Sequence, residues 1–377
     1  MFKNFRAAFR NAYGHWNPPM VILLFIFPIG LCLGILSLFS EETPSRLEIG
    51  IVAESGGDLQ GKILRAIDAT QATRLVKRCK SVSECASAMR GGEIYAFLHL
   101  PEDLEKNAHR LETPVVTVYT NGQSLLTSKL ITNDLRTAIG TQGAILVKNA
   151  VLPPITTELH IVGNPTGNYE RFLGIGLVTA FFHVIAMIFG AYIFAYPIRE
   201  KRTGEWFAAA GNSTAIAFFG RFLPALAILG TEMVFLLFIA RKGMPALQGI
   251  DIAVLVCGAY AMVGTCLAAG ATFVGFIGEM RIALSSAAVA GGPAFAFCGQ
   301  TFPLFAMPFG LRAWAFILPI THFMQLESAF FLGHIGVARA FHSLEILCGE
   351  LLFWILLAIF TLRIRIPKTI EREKAAL

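Results

Sequence analysis

The chain has 377 residues, of which 55% are hydrophobic and 15% charged, against about 25% charge in a soluble domain. Together with a mean hydropathy of +0.62, this excludes a wholly soluble protein and specifies a membrane protein with some water-facing mass. The net charge of +6 is spread over loops, and no stripe combines basic and aromatic residues, which excludes nucleic acid as a partner.

Residues 1–18 come first. Phe2, Phe5, Phe9, Tyr13 and Trp16 recur at spacings of three and four, while Lys3, Arg6 and Arg10 fall off that face. The pattern predicts an amphipathic helix lying on the inner face of the bilayer. A spanning helix needs about 20 predominantly apolar residues. Roughly 19–40, 170–195, 214–240, 252–276, 283–302 and 344–363 qualify, about six spans in all. The first is longer than a signal core and is followed by LSLFSEE, which has no small-x-small cleavage site, so it reads as a retained anchor.

Residues 41–168 alternate in pattern. LEIGIVAE reads as a strand, DLQGKILRAID as a helix, TRLVKR as a strand and SVSECASAMRGG as a helix with a Ser N-cap and a Gly stop. IYAFLHLP is a strand, EDLEKNAHR a short helix and PVVTVYTNG a strand ending in a turn. A long helix over about 123–150 leads back to the membrane. The expected fold is a small α/β domain inserted between the first two spans. GGDLQGKI (56–63) nearly fits a phosphate loop, but Ile63 stands where a Mg²⁺-binding hydroxyl belongs, so it reads as a turn and helix start. Of the seven cysteines, five lie in apolar segments; Cys79 and Cys85 form either a disulfide or two unpaired thiols. His99, His109 and His160 have no convergent carboxylate spacing, so no metal site is expected.

The 169–377 region carries the remaining spans. Between two of them lies YPIREKRTGEWFAAAGNS (196–213), with Arg199, Glu200, Lys201, Arg202, Thr203, Gly204 and Glu205 in succession. Charges in this order suggest a loop that touches something. Arg221 and Glu232 stand eleven residues apart in the following span and point to nearly the same face. An ionisable group at that depth faces a cavity or a partner, so His183, Arg221 and Glu232 are candidates to line a transport pathway; Glu232 could also pair with another helix or approach the outer interface. The plainer readings are that Arg221 snorkels to the inner interface and that His183 makes an interhelical hydrogen bond. Over 303–342, Pro303, Pro308 and Pro319 interrupt an apolar stretch, which predicts two short broken helices dipping into the outer face.

Lys and Arg set the orientation. The N-terminus, the 196–213 loop, the 277–282 turn and the C-terminus hold twelve of them. The opposite short segments hold four: Arg241, Lys242, Arg312 and Arg339. Both termini and the 196–213 loop are therefore expected inside, and 41–168 outside.

Three stretches resemble the permease subunits of ABC type-2 exporters, in the bacterial branch with a large external domain. REKRTGEW (199–206) resembles the family's R-E-[KR]-E-x-G-T-x-E coupling segment: Arg199 and Glu200 match directly, Glu205 loosely, because Thr203-Gly204 reverses the G-T order. FPLFAMPFGLRAWAFILPITHFMQ resembles the M-P-x-x-L…P-x-[TS]-[HY] stretch through Met307, Pro308, Pro319, Thr321 and His322. Ser83, Glu84 and the Pro101–Leu104 run resemble the external domain. The resemblance implies an α-helical integral protein of the bacterial inner membrane, working as a homo- or heterodimer with a separate ATPase subunit. That partner would hold ATP and Mg²⁺, and no cofactor would sit on this chain. A periplasmic adaptor and an outer-membrane channel are further implied partners. The rival readings are a membrane-anchored receptor or assembly scaffold, and an integral membrane enzyme. Cytosolic tails of about 17 and 14 residues are short for an output module, and the polar groups are too isolated for an active site.

Overall fold

The computed structural model describes residues 2–13, 18–38, 45–53, 56–90, 93–109, 115–120, 125–146, 173–241, 247, 249–302, 304, 307–331 and 337–375. Trp16, the Gly stop at 91–92, the turn after the fourth strand, His160, Lys242 and Pro303 lie outside these residues. The chain divides into two compact units, Met1–Glu42 with Ile161–Leu377, and Thr43–His160.

The smaller unit follows the alternating pattern element by element: β1 (Leu47–Ala53), α4 (Asp58–Asp68), β2 (Thr73–Cys79), α5 (Val82–Arg90), β3 (Ala96–Leu100), α6 (Leu104–His109), β4 (Thr117–Thr120) and α7 (Leu125–Leu146), with α1–α3 assigned to the N-terminal region below. The sheet has the order β2-β1-β3-β4, parallel except for the antiparallel β3–β4 pair. Alternation sends Ile49, Ile51 and Leu98 to one face, where Ile63 and Ile67 of α4 and Ile131 and Leu135 of α7 cover them. Val52 and Phe97 face the other way, onto Cys85 and Ala88 of α5. With helices on both faces, β1 reads as a near-continuous apolar run rather than a strict alternation.

A disulfide joins Cys79, at the end of β2, to Cys85 in α5. The same corner is fixed by hydrogen bonds. Ser81 Oγ accepts from the Glu84 N–H at 3.2 Å, and the Glu84 carboxylate accepts from the Lys80 N–H at 2.8 Å, close to a capping box. The 56–63 stretch is the N-cap Gly57 and the start of α4, where Asp58 pairs with Lys62 at 2.7 Å. That hydrogen bond holds the Asp58 carboxyl below its ordinary range.

The larger unit opens with α1 (Phe2–Tyr13) and α2 (Pro18–Val21), then a π turn (Ile22–Ile26) and α3 (Phe27–Leu38). Pro28 has no N–H to continue the ladder. The Phe27 N–H donates to the Ile22 carbonyl across the widened turn. The first apolar run is thus helical but broken in register, with Leu24–Ser37 as its apolar helical stretch. Five helices among the described residues are long and apolar enough to cross a membrane. They are α8 (Ile175–Arg199), α10 (Thr214–Ala240), α11 (Gly249–Ile277), the Met280–Phe297 stretch and α16 (Val337–Ala375). A short α9 (Thr203–Ala209) lies between α8 and α10. Met280–Phe297 comprises α12 (Met280–Gly291) and α13 (Ala294–Phe297). The proline-interrupted region yields α14 (Phe309–Ala315) and α15 (Pro319–Phe331), two short helices as the prolines require.

The central helix is α11, which packs on α8, α10, α12, α15 and α16. It lies directly against α8 at two glycines. A Cβ at Gly270 would overlap the Met187 carbonyl oxygen, and one at Gly190 would overlap that of Leu267. Backbone meets backbone there, the small-residue solution for packing helices in lipid.

Candidate functional site

Where α8 ends, its last carbonyls must be satisfied locally. The Lys201 N–H donates to Ile198 O at 3.2 Å and the Arg202 N–H to Pro197 O at 2.9 Å. This is a Schellman pair, with Lys201 at φ +55 in the left-handed position that usually holds Gly. The end of α9 repeats the device. Gly211, at φ +65, donates to Ala208 O at 2.9 Å, and Asn212 to Phe207 O at 2.9 Å. Ser213 then caps α10. The 196–213 loop is therefore a one-to-two-turn helix bracketed by two tight, hydrogen-bonded reversals.

Its faces divide by chemistry. Arg199, Glu200, Lys201, Arg202 and Glu205 are exposed; Arg202 and Glu205 pair at 2.8 Å. Thr203 and Trp206 are fully buried. Thr203 Oγ1 donates to Glu373 Oε1 of α16 at 2.5 Å. The Trp206 ring packs on Phe194 of α8, with centroids 6.2 Å apart, and beneath the Arg221 guanidinium, whose Cζ is 4.9 Å from the ring centroid. Gly204 is half-buried, and a Cβ there would meet open space.

Arg221 ties this region together. Its Nη1 donates to Ile193 O at 2.7 Å and its Nη2 to Asn11 Oδ1 at 3.3 Å. One side chain thus joins α8, α9, α10 and α1. The contact face of α1 includes Ala8, which fits against Gly220, and Asn4, which lies on Gly211. Asn4, Ala8 and Asn11 share a helical face, so α1 meets the bundle through a small polar stripe beside the aromatic one, and Phe9 stays 42% exposed. A groove of about 600 Å³ adjoins the site, lined by Ile198 and Arg199 of α8 and Gly278–Arg281 with Leu284 after α11. Arg281 hydrogen-bonds Glu279 at 2.9 Å on its rim and draws that carboxyl below its usual range.

The other candidates do not gather with this site. Glu232 lies three turns along α10 from Arg221, buried, with no hydrogen-bond partner for either oxygen among the described residues. His183 is fully buried beside Gly291 of α12, and neither ring nitrogen is hydrogen-bonded among the described residues. Of the proline-rich motif, Met307 is buried and Pro308 is the N-cap of α14. Pro319 opens α15, where a missing N–H costs nothing. Thr321 and His322 are buried in its first turn; His322 Nε2 donates to Phe316 O at 2.9 Å and lies 3.7 Å from Glu350 Oε1.

Trp206, Glu327 and Glu350 lie beyond the residues singled out from the sequence. Glu327 is buried and accepts from Thr179 Oγ1 at 2.7 Å. Isolated acids in the apolar runs QLESAF and CGELLF were the available signal for the last two. Trp206 offers less: a Trp beside a charged run does not say which side it will face.

The charged knuckle is thus keyed into four helices, α1, α8, α10 and α16. A family model described as ABC-2 family transporter protein matches residues 19–360. No curated protein matches the chain. The match takes in the broken first helix, the smaller α/β unit, the charged knuckle and the proline-interrupted helices. The chain belongs to the ABC-2 transporter family and is a multi-pass membrane protein.

Proposed function

We propose that the chain is the permease subunit of an ATP-driven exporter, working as a dimer with a separate ATPase that docks on the exposed face of α9 and its flanking turns. Both termini and α9 lie in the cytosol in this reading. The first apolar run completes six spans, and the 41–168 domain lies outside. The disulfide at its β2–α5 corner suits an oxidising compartment. The observation that carries the reading is the split of the knuckle into five exposed charged residues and two buried anchors. Charges on a mobile loop would set little, whereas charges held rigidly give a partner orientation and register. ATP closure would move α9, and with it α1, α8, α10 and α16. Cargo would then cross by alternating access, moving outward from the cytosol or inner leaflet. A periplasmic adaptor and outer-membrane channel would extend the route.

The test is charge reversal at exposed positions, Glu200→Arg with Glu205→Arg, in the complex co-purified with its ATPase. Transport-coupled ATP hydrolysis is expected to fall by about tenfold or more, the effect of about 1.4 kcal/mol of lost coupling, while the permease still folds. Unchanged coupled hydrolysis would remove α9 from the docking surface and favour a receptor or scaffold.

A further inference from the structure

α16 is 39 residues long, about 58 Å at 1.5 Å per residue, so it outruns a hydrocarbon core of about 30 Å. Its sequence changes from apolar to RIRIPKTIEREK at Arg363, which marks where it leaves the bilayer. A pocket of about 240 Å³ opens there between α16 and the end of α11. Arg365, Lys368 and Arg372 line it together with Phe276, Phe360 and Ile364, and no carboxylate is among its lining residues.

The residues are arranged rather than scattered. At about 100° per residue, positions 361, 365, 368 and 372 fall within an arc of about 60°. Arg363 and Lys374 fall on the opposite side. Arg365 is already anchored: its Nε donates to Gly275 O at 3.0 Å and its Nη2 to Phe276 O. The guanidinium thereby caps the exposed carbonyls of α11 and fixes the pocket floor. Lys368 and Arg372 are exposed and form no ion pair among the described residues. The apolar wall is open: Phe276 is 62%, Phe360 59% and Ile364 47% exposed. Cations at a membrane boundary, continuous with uncovered apolar surface on the membrane side, match a molecule with a phosphate at one end and acyl chains at the other.

We propose that this pocket binds the phosphate headgroup of an anionic phospholipid, with Lys368 and Arg372 as the phosphate ligands, Arg365 as the fixed floor, and the acyl chains lying along Phe276, Phe360 and Ile364. The site requires only that α16 cross the bilayer. The leaflet follows from the orientation proposed above, and failure of that orientation would leave binding intact.

The full-length permease in neutral detergent is titrated with dioctanoyl-phosphatidylglycerol, dioctanoyl-phosphatidylcholine or inorganic phosphate, and bound species are counted by native mass spectrometry. Saturable retention of phosphatidylglycerol is expected, with phosphatidylcholine and free phosphate each held at least about tenfold more weakly. Lys368→Gln with Arg372→Gln should weaken phosphatidylglycerol about thirtyfold, the scale of two interfacial cations. Arg363→Gln with Lys374→Gln removes the same charge from the opposite side and should leave binding unchanged. Lipid-free thermal unfolding serves as the folding check for both pairs, whose side chains are exposed. Equal losses in the two pairs, no loss in either, or equal retention of phosphatidylcholine would overturn the site. Free phosphate held as tightly as the lipid would replace the lipid with a soluble anion.

Discussion

Trp206 is the residue on which the position of the charged knuckle rests. It is fully buried against Phe194 and under Arg221, so Trp206→Ala opens a cavity and releases the guanidinium from its ring. The expected cost is about 3–5 kcal/mol, read as a fall in unfolding temperature of the purified permease, with Trp206→Phe losing less. A cost under about 1 kcal/mol would mean that α9 is held from elsewhere. The outward half of this site was legible residue by residue, because exposed charge between apolar runs needs no tertiary knowledge. The inward half was not: Thr203 is keyed by Glu373, 170 positions along the chain, and Trp206 by side chains of two other helices. Arg221 shows the same limit. From the sequence it is a costly cation at membrane depth, open to a pathway role; in the structure Ile193, Asn11 and Trp206 all engage it.

Helices and strands with a clear period were readable where they stand. α4 occupies Asp58–Asp68, the whole of DLQGKILRAID, because its apolar spacing and its Gly57 start act locally. The first apolar run was readable as a helix but not as one with a π turn, since the rerouted bond at Phe27 is a backbone response to Pro28. Helix contacts were harder still. Gly190 and Gly270 look like any other glycines in an apolar run, yet they bring two helix backbones into direct contact. Gly270→Ala must push α8 away, because the obstructing atoms are backbone and have no rotamer to change. A loss of about 1–3 kcal/mol is expected in thermal unfolding, whereas Gly349→Ala on α16, with nothing within 4 Å of the new methyl, should be neutral or stabilising. Equal effects at both positions would show that the α8–α11 contact yields.

For the molecule as a whole, the apolar helices were legible from hydropathy and the small α/β sheet from its alternating pattern, and the chain divides into two compact units. Orientation is the proposal that governs the rest, and the structure shows where to measure it. Thr203 is buried, so an exposed neighbour must carry the probe. Glu205→Cys, with the exposed Cys257 and Cys348 replaced by Ser, should react with a membrane-impermeant maleimide in inside-out vesicles and stay unlabelled in intact cells. Labelling only in intact cells would invert the topology and separate the knuckle from any nucleotide-driven motor. The bare contact of Gly190 with Gly270 bears on the same cycle. With no side chain between them, the backbones of α8 and α11 leave no room for a solute at that point. In the dimeric exporter proposed above, a passage for cargo would be made by other surfaces, with the seam between the two subunits, rather than the inside of one, the place to look for it.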